Sequence, residues 1–75
     1  MLYDCITAVI ETGSCSVSML QRRFRLGYNR AARIVDVMEE RGIVGPPDGA
    51  RPRKVLMTME EFENLNGPDV EDEID

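Results

Sequence analysis

The stretch LQRRFRLGYNRAARIVDVMEERGIVGPPDGARPRKVL, residues 20–56, decides the fold. It holds all nine basic residues of the 75-residue chain. Apolar residues recur at helical spacing on both sides of a short break at Gly27, and a segment rich in proline and glycine follows. A helix, a tight turn, a second helix and a hairpin in this order predict a winged helix-turn-helix.

The distribution of charge favours nucleic-acid binding even though the chain is acidic overall. Its 9 basic and 14 acidic residues give a formal net charge of −5. Eight of the acids lie at or beyond residue 60, where there is no base, whereas residues 22–54 carry nine bases and four acids, a net charge of +5. A basic block beside an acidic tail is a footprint of nucleic-acid binding. A solvated charged surface is the alternative.

Composition restricts the other classes of function. The chain is long enough for one small domain, and no apolar run approaches the roughly 20 residues of a membrane span. With no histidine and two cysteines, a zinc site lacks ligands, so we interpret Cys5 and Cys15 as buried apolar residues in a reducing cytoplasm. No serine or cysteine has a plausible base, and there is no nucleotide-binding GxxxxGK(S/T) loop. We therefore expect no enzymatic activity and no cofactor.

Two helices are predicted ahead of the break at Gly27. The first has apolar residues at helical spacing and ends at Gly13. Residues 14–17 predict a short edge strand. Ser18 and Gln21 have the spacing of a capping box, which would start the second helix.

The third predicted helix runs from about Tyr28 to Arg41, ends at Gly42, and has two distinct faces. At 100° per residue, one face is apolar and consists of Ala31, Ile34, Val35 and Met38. The opposite face carries Asn29, Arg33, Asp36 and Glu40, with Arg30 on its flank. Such a helix can lie in a major groove with its polar face towards the bases.

Side-chain chemistry makes Asn29, Arg33 and Asp36 candidates for reading bases. Arginine can donate two hydrogen bonds to guanine, asparagine pairs with adenine, and aspartate accepts from the cytosine amino group. Two alternatives are open at this point. Asn29 can cap the helix, and Asp36 can pair with Arg33, or Glu40 with nearby arginines, on a solvated surface.

The segment after Gly42 predicts a β-hairpin, the wing of the fold. Residues 43–44 and 54–57 have strand character, and residues 45–49 have the composition of a turn. Long cations on a protruding ribbon can reach phosphates or the minor groove, and a solvated loop is the alternative. The cations are Arg51, Arg53 and Lys54.

A short helix and an acidic tail complete the chain. Thr58 and Glu61 have capping-box spacing and predict a helix through Phe62 and Leu65. The expected fold is therefore α+β and mainly α, a winged helix-turn-helix of three helices plus a β-hairpin wing and a short C-terminal helix, over residues 1–65. Residues 66–75 are predicted to be an acidic, disordered tail.

The run GYNRAARIVDVMEERGIVGP, residues 27–46, is more specific than a generic helix-turn-helix pattern. With its flanks MLQRRFRL and PDGARPRKVLM, it resembles the C-terminal gamma domain of the FtsK/SpoIIIE family of bacterial DNA translocases. The ending VLMTMEEFENL also resembles the last segment of SpoIIIE-like members. The resemblance covers residues 2–65.

The resemblance implies a domain that binds short, guanine-rich, strand-polarised sites in double-stranded DNA. Binding would load and orient a translocase during chromosome segregation, at cell division or in sporulation. Asn29, Arg33 and Asp36 match the family's base-reading positions, where some members have Glu in place of Asp36. Backbone or groove contacts would come from Arg22, Arg23, Arg30, Arg51, Arg53 and Lys54.

Further partners also follow from the resemblance. We expect other copies of the domain on adjacent sites or within a motor hexamer, and an alternative role is docking to a protein such as the XerD recombinase. The chain has no room for a motor, so it is either the terminal piece of a longer protein or a free-standing relative. We expect it in the cytoplasm, without membrane contact; a membrane anchor would belong to a parent translocase.

Overall fold

Four helices and a small antiparallel sheet form the structure, a computed structural model that describes residues 2–65. The predicted acidic tail, residues 66–75, lies outside the described residues. The mainly helical α+β class is confirmed, and the arrangement fits a winged helix-turn-helix. In chain order the elements are α1 (Leu2–Thr12), β1 (Ser14–Cys15), α2 (Val17–Phe24), α3 (Tyr28–Glu40), β2 (Arg53–Lys54) and α4 (Met59–Leu65).

The first helix, α1, ends where the sequence predicts. Gly13 has a φ of +83°, and its N–H donates to the carbonyl of Val9 over 2.9 Å. The buried face of α1 includes Cys5, and Cys15 in β1 is also buried. Both are thiols rather than disulfide partners. The interpretation of the two cysteines as buried residues is confirmed.

The second helix starts two residues earlier than predicted. Ser16, not Ser18, is the N-cap: its backbone is extended, and its Oγ accepts the N–H of Met19 over 3.1 Å. The reason lies in β1, because pairing of Cys15 in the sheet leaves Ser16 extended just where the helix begins. Ser18 is an exposed residue inside the first turn.

A three-residue turn joins α2 to α3. The chain reverses at Arg25, which has a left-handed backbone (φ 55°, ψ 46°). The N–H groups of Arg25 and Leu26 both donate to the carbonyl of Gln21, the second over 3.2 Å. Gly27 is extended and occupies the N-cap position of α3. The tight turn predicted at Gly27 is thus made mainly by Arg25.

The third helix ends in a pair of backbone hydrogen bonds around Gly42. The N–H of Gly42 donates to Glu39 (3.0 Å), and the N–H of Ile43 donates to Met38 (2.9 Å). This is the Schellman arrangement, which needs a left-handed residue, and Gly42 has a φ of +78°. The last helical residue is Glu40, one before the predicted Arg41.

The sheet differs from the predicted hairpin. β2 pairs with β1, with Ser14 opposite Lys54 and Cys15 opposite Arg53, while the wing itself has two isolated bridges, Val44 to Val55 and Asp48 to Arg51. Residues 43–44 therefore do not form a strand, and the strand predicted for 54–57 is shorter and begins at Arg53. The two prolines after Gly45 have no N–H to continue the ladder.

The predicted edge strand exists, but it is limited to two residues. The structure assigns β1 to Ser14–Cys15, whereas the sequence predicts 14–17.

The return strand of the wing, which contains β2, is hydrogen-bonded on both sides. Its inner neighbour is β1, and its outer side is held by bonds from Gly45 to Lys54 (2.9 Å) and from Leu56 to Ile43 (2.8 Å).

The fourth helix closes the core against α1. The predicted capping box is confirmed: Thr58 Oγ1 accepts the N–H of Glu61 (3.1 Å), and Glu61 Oε1 accepts the N–H of Thr58 (2.9 Å). Phe62 is fully buried, with its ring centroid 5.7 Å from that of Tyr3. The buried core cluster comprises Leu2, Cys5, Ile6, Val9, Cys15, Leu20, Ala31, Ile34, Val35, Met38, Ile43, Val44 and Phe62.

Candidate nucleic-acid interface

The two faces of α3 lie as the sequence predicts. Ala31, Ile34, Val35 and Met38 are at most 1% exposed, so the apolar face is fully packed. The polar face is open to solvent and comprises Asn29, Arg30, Arg33, Asp36 and Glu40. The helix therefore presents a continuous stripe of hydrogen-bonding side chains, and its packed side fixes the direction in which that stripe points.

The structure disfavours the two alternative roles for this stripe. Gly27 is the N-cap of α3 and makes no side-chain cap, so Asn29 lies inside the first turn and does not cap the helix. Within residues 2–65, neither Arg33 nor Asp36 forms an ion pair. Their hydrogen-bonding groups are thus directed to solvent, where an external partner can meet them.

Further arginines lie beside the stripe. Arg22 and Arg23 are exposed in the last turn of α2, a helix that packs directly against α3. Arg30 is exposed in the first turn of α3. The structure therefore gathers cations around the N-terminal half of the polar stripe, which is the end that a helix-turn-helix directs towards bases.

The three wing cations have different surroundings. Arg51 and Lys54 are exposed. The Arg53 side chain is only 17% exposed, and its Nη1 donates to Glu39 Oε1 over 2.7 Å. Strand alternation accounts for the difference, because successive side chains point to opposite faces. Arg53 faces α3, and Lys54 faces outwards.

The pair between Arg53 and Glu39 joins the sheet to the C-terminal half of α3. It links the polar stripe and the wing across 14 residues of sequence. Glu39 is absent from the sequence-based candidates. Helical spacing places it beside the polar face, but no local pattern indicates a partner so distant in the chain.

Sequence reasoning also missed two exposed residues near the start of α3. Tyr28, the first residue of the helix, is 64% exposed. Arg25, in the turn, is exposed and is the sole non-glycine residue of the described part with positive φ. An apolar pattern marks neither residue, because both lie where helical periodicity is interrupted.

The outer face of the wing forms a shallow groove of about 300 Å³. Leu56, which lines it, is 59% exposed. The groove does not face α3, since Lys54 and Leu56 share the strand face opposite to Arg53. Its lining comprises Gly45, Pro46, Pro47, Asp48, Lys54 and Leu56.

Neither a metal centre nor a membrane-spanning helix is found in the part of the chain that the structure describes. No group of three or more His, Cys, Asp or Glu side chains is arranged to hold a metal ion there. None of the helices between residues 2 and 65 is long and apolar enough to cross a bilayer. The polar stripe of α3 and the cations around it are the main candidate site.

Known proteins contain segments of similar sequence. The family model of the FtsK gamma domain matches residues 1–58. The DNA translocase SpoIIIE of Bacillus subtilis (strain 168) is 53% identical over 66 residues, which are 87% of this chain and 8% of that protein. The DNA translocase FtsK of Sporosarcina ureae is 59% identical over 63 residues, or 83% of this chain and 8% of that protein. The DNA translocase FtsK of Lactiplantibacillus plantarum is 67% identical over 52 residues, which are 69% of this chain and 6% of that protein.

The chain thus spans less than a tenth of the length of these relatives. The matched part is the small gamma domain and not the motor region of a translocase. The match includes the whole of α3 and the whole wing. On the family model and on the identity to these relatives, the chain belongs to the FtsK gamma domain family.

Proposed function

We propose that this domain binds short, guanine-rich, strand-polarised sites in double-stranded DNA, and so loads and orients a DNA translocase during chromosome segregation. The observation that carries the proposal is the polar stripe of α3. Its arginine, asparagine and aspartate are exposed and form no ion pair within residues 2–65, on a helix whose other face is fully buried. The relatives' name, DNA translocase, supports the same partner.

The proposed contacts fall into two classes. Asn29, Arg33 and Asp36 read base edges in the major groove, where adenine, guanine and cytosine offer matching donors and acceptors. The exposed cations contact phosphates or the minor groove and set the position of the domain on the duplex without reading sequence. These cations are Arg22, Arg23, Arg30, Arg51 and Lys54.

Arg53 is proposed to have a different role from the other wing cations. Its Nη1 donates to Glu39 over 2.7 Å, so a phosphate would have to meet the remaining N–H donors beside that carboxylate. The resemblance assigns Arg53 to a backbone or groove contact. We propose instead that Arg53 holds the wing against α3. Arg51 and Lys54 remain the two wing cations that we propose as contacts to the DNA backbone.

One copy of the domain covers few base pairs, so we propose that useful affinity comes from several copies on adjacent sites or within a motor hexamer. The domain measures only 30 × 25 × 19 Å. Titration against a duplex of about one helical turn gives the stoichiometry. Tight one-to-one binding would contradict this part of the proposal.

The main test is fluorescence anisotropy of the domain with a guanine-rich, translocase-orienting duplex and with its scrambled version, at two salt concentrations. Selective binding that weakens as salt rises is the expected result, because phosphate contacts release counterions. Equal binding to both duplexes would show that the domain does not read sequence. Absence of binding to either would remove DNA as the partner.

A second candidate function is docking to a protein such as a XerD-type recombinase. The groove on the outer face of the wing favours it, since Leu56 is 59% exposed beside two prolines and one cation. The groove and the polar stripe of α3 lie on different faces, and Lys54, which lines the groove, is the residue that the two roles share. Leu56→Ser should weaken recombinase binding and leave selective DNA binding intact, whereas Arg33→Ala should do the reverse.

A further inference from the structure

Three turns of the described chain require a left-handed residue at or just after a helix end, and one of them departs from the expected residue type. After α1 the residue is Gly13 (φ +83°), and after α3 it is Gly42 (φ +78°). After α2 it is Arg25 (φ +55°). The left-handed region crowds the Cβ of an L-residue, which is why glycine usually occupies it. The chain thus has an arginine where glycine would be less strained.

Within the described residues, no hydrogen bond or ion pair of the Arg25 side chain offsets this strain. The side chain is exposed, and it makes no hydrogen bond or ion pair with residues 2–65. Arg53 is a contrast, because its side chain is only 17% exposed and its Nη1 donates to Glu39. Backbone strain that persists without internal benefit points to a role outside the fold.

The position of Arg25 suggests what that role is. It lies two residues before the N-cap of α3, so its Cα is at most about 14 Å from that of Asn29 by chain length alone. A major groove is about 12 Å wide, so a helix lying in it has phosphates close on both sides. The turn at the N-terminal end of such a helix meets one of these phosphate rows.

We propose that Arg25 is a DNA-backbone contact, with its guanidinium donating to a phosphate that borders the groove occupied by α3. Guanidinium presents two parallel donors that match two phosphate oxygens. The left-handed backbone turns the side chain out of the α2 helix just before α3 begins. This inference rests on the proposed DNA-binding function and adds a residue to it.

A purely structural role for Arg25 makes a different prediction. A cation near the C-terminal end of α2 interacts favourably with the helix dipole, as do Arg22 and Arg23 in the last turn. If that were its role, removing the charge would destabilise the fold and leave DNA affinity unchanged. The two roles therefore separate when stability and binding are measured on the same variants.

The test compares Arg25→Gly with Arg25→Asn and Arg25→Lys. Glycine relieves the strain, asparagine tolerates the left-handed region, and lysine keeps the charge. Urea unfolding gives stability, and anisotropy across a salt series gives affinity for the guanine-rich and scrambled duplexes. We expect Arg25→Gly to be at least as stable as the wild type, yet to bind both duplexes on the order of tenfold more weakly.

The salt dependence gives the sharper readout. Loss of one phosphate contact should make the slope of log affinity against log salt shallower by about 0.9 for Arg25→Gly and Arg25→Asn. Arg25→Lys should keep the wild-type slope. An unchanged slope and affinity in both neutral variants would overturn the proposal, and so would a loss confined to the guanine-rich duplex, which would make Arg25 a base reader.

The outcomes also separate this proposal from the function on which it rests. If the wild type binds both duplexes equally, sequence reading fails, while the slope of the Arg25 variants still decides whether Arg25 contacts phosphate. If the wild type binds selectively and the neutral variants match it, the Arg25 proposal alone fails. A wild type that binds neither duplex overturns both.

Discussion

Arg33 and Lys54 are both exposed cations, but the structure places them so differently that their substitutions should have different effects. Arg33 lies on the polar face of α3, and Lys54 lies on the outer face of the wing. Arg33→Ala should cost ~1–3 kcal/mol on the guanine-rich duplex and much less on its scrambled version. Anisotropy titrations on the two duplexes measure this difference.

Lys54→Ala is the matched comparison, since it removes one cation without touching the stripe. It should weaken binding to both duplexes by similar factors and make the salt slope shallower by about 0.9. If Arg33→Ala and Lys54→Ala each lost affinity equally on both duplexes, the division between base readers and backbone contacts would be wrong.

Gly42 gives a prediction about stability at the residue scale. Its φ of +78° and its two-bond turn after α3 mean that a Cβ strains the backbone even though there is open space around it. Gly42→Ala should lower the free energy of unfolding by about 1 kcal/mol in urea titrations. Gly45→Ala is the control, because Gly45 lies outside the left-handed region and a Cβ there would meet its nearest atoms at 3.9 Å, an ordinary contact distance. Equal losses in the two variants would contradict the role of the left-handed turn.

At the scale of elements, the long periodic α3 could be predicted well and the short strands could not. Thirteen helical residues with apolar positions on one face define which side of the helix is buried. A strand of two residues carries no period of its own, and its partner depends on contacts distant in the chain. The pair of Arg53 with Glu39 could not be predicted for the same reason. The start of α2 at Ser16 and not at Ser18 also depends on the pairing of β1 with β2.

The pair of Glu39 and Arg53 should hold the wing in a fixed orientation relative to α3. If it does, Glu39→Gln should reduce selective DNA binding although it removes a negative charge near the DNA. A purely electrostatic role would give tighter binding instead. A double-mutant cycle in urea with Arg53→Ala should show coupling of about 0.2–1 kcal/mol, the range for a pair in which Glu39 is 41% exposed. No coupling would mean that the pair does not constrain the wing.

The contact between α1 and α4 should make stability sensitive to alkaline pH. The Tyr3 hydroxyl donates to Glu63 Oε1 over 2.6 Å, and this hydrogen bond, with smaller effects of burial and of the Glu63 charge, raises the pKa of Tyr3 above its usual value of 10.0. Because the folded-state pKa is raised, the stabilisation is present below pH 10 and is lost as pH rises through that raised pKa.

Unfolding midpoints between pH 9 and about 11.5 test this contact. The wild type should lose stability more steeply than Tyr3→Phe, which keeps the ring beside Phe62 but has no hydroxyl. Tyr28→Phe is the control, because that side chain is 64% exposed and should follow the wild-type curve. Identical curves for Tyr3→Phe and the wild type would show that the hydrogen bond contributes nothing.

At the scale of the whole molecule, charge is divided along the chain. Residues 22–54 carry a net charge of +5, and residues 66–75, outside the described part, hold five acids and no base. We expect deletion of residues 66–75 to strengthen binding to random-sequence duplex at low salt. At 0.01 M the Debye length is about 30 Å, comparable to the longest dimension of the domain, and at 0.15 M it is about 8 Å.

A variant with the five acids replaced by their amides separates charge from length. It should match the deletion at 0.01 M salt, and both should approach the wild type at 0.15 M. If neither change affects random-sequence binding at low salt, the acids do not compete with DNA.

The fold class and the division of charge could be predicted from the sequence, because both depend on composition and periodicity rather than on particular contacts distant in the chain.

The rates at which the two buried cysteines are alkylated should report how fast the domain opens. Cys15 lies in β1 opposite Arg53, under the root of the wing, while Cys5 lies in α1. Burial raises the pKa of the Cys15 thiol, partly offset by the positive charge of Arg53, so alkylating reagents should reach a reactive thiolate only after the structure opens. If Cys15 is labelled faster than Cys5, the wing detaches while the helices stay closed; equal rates would mean that wing and helices open as one unit.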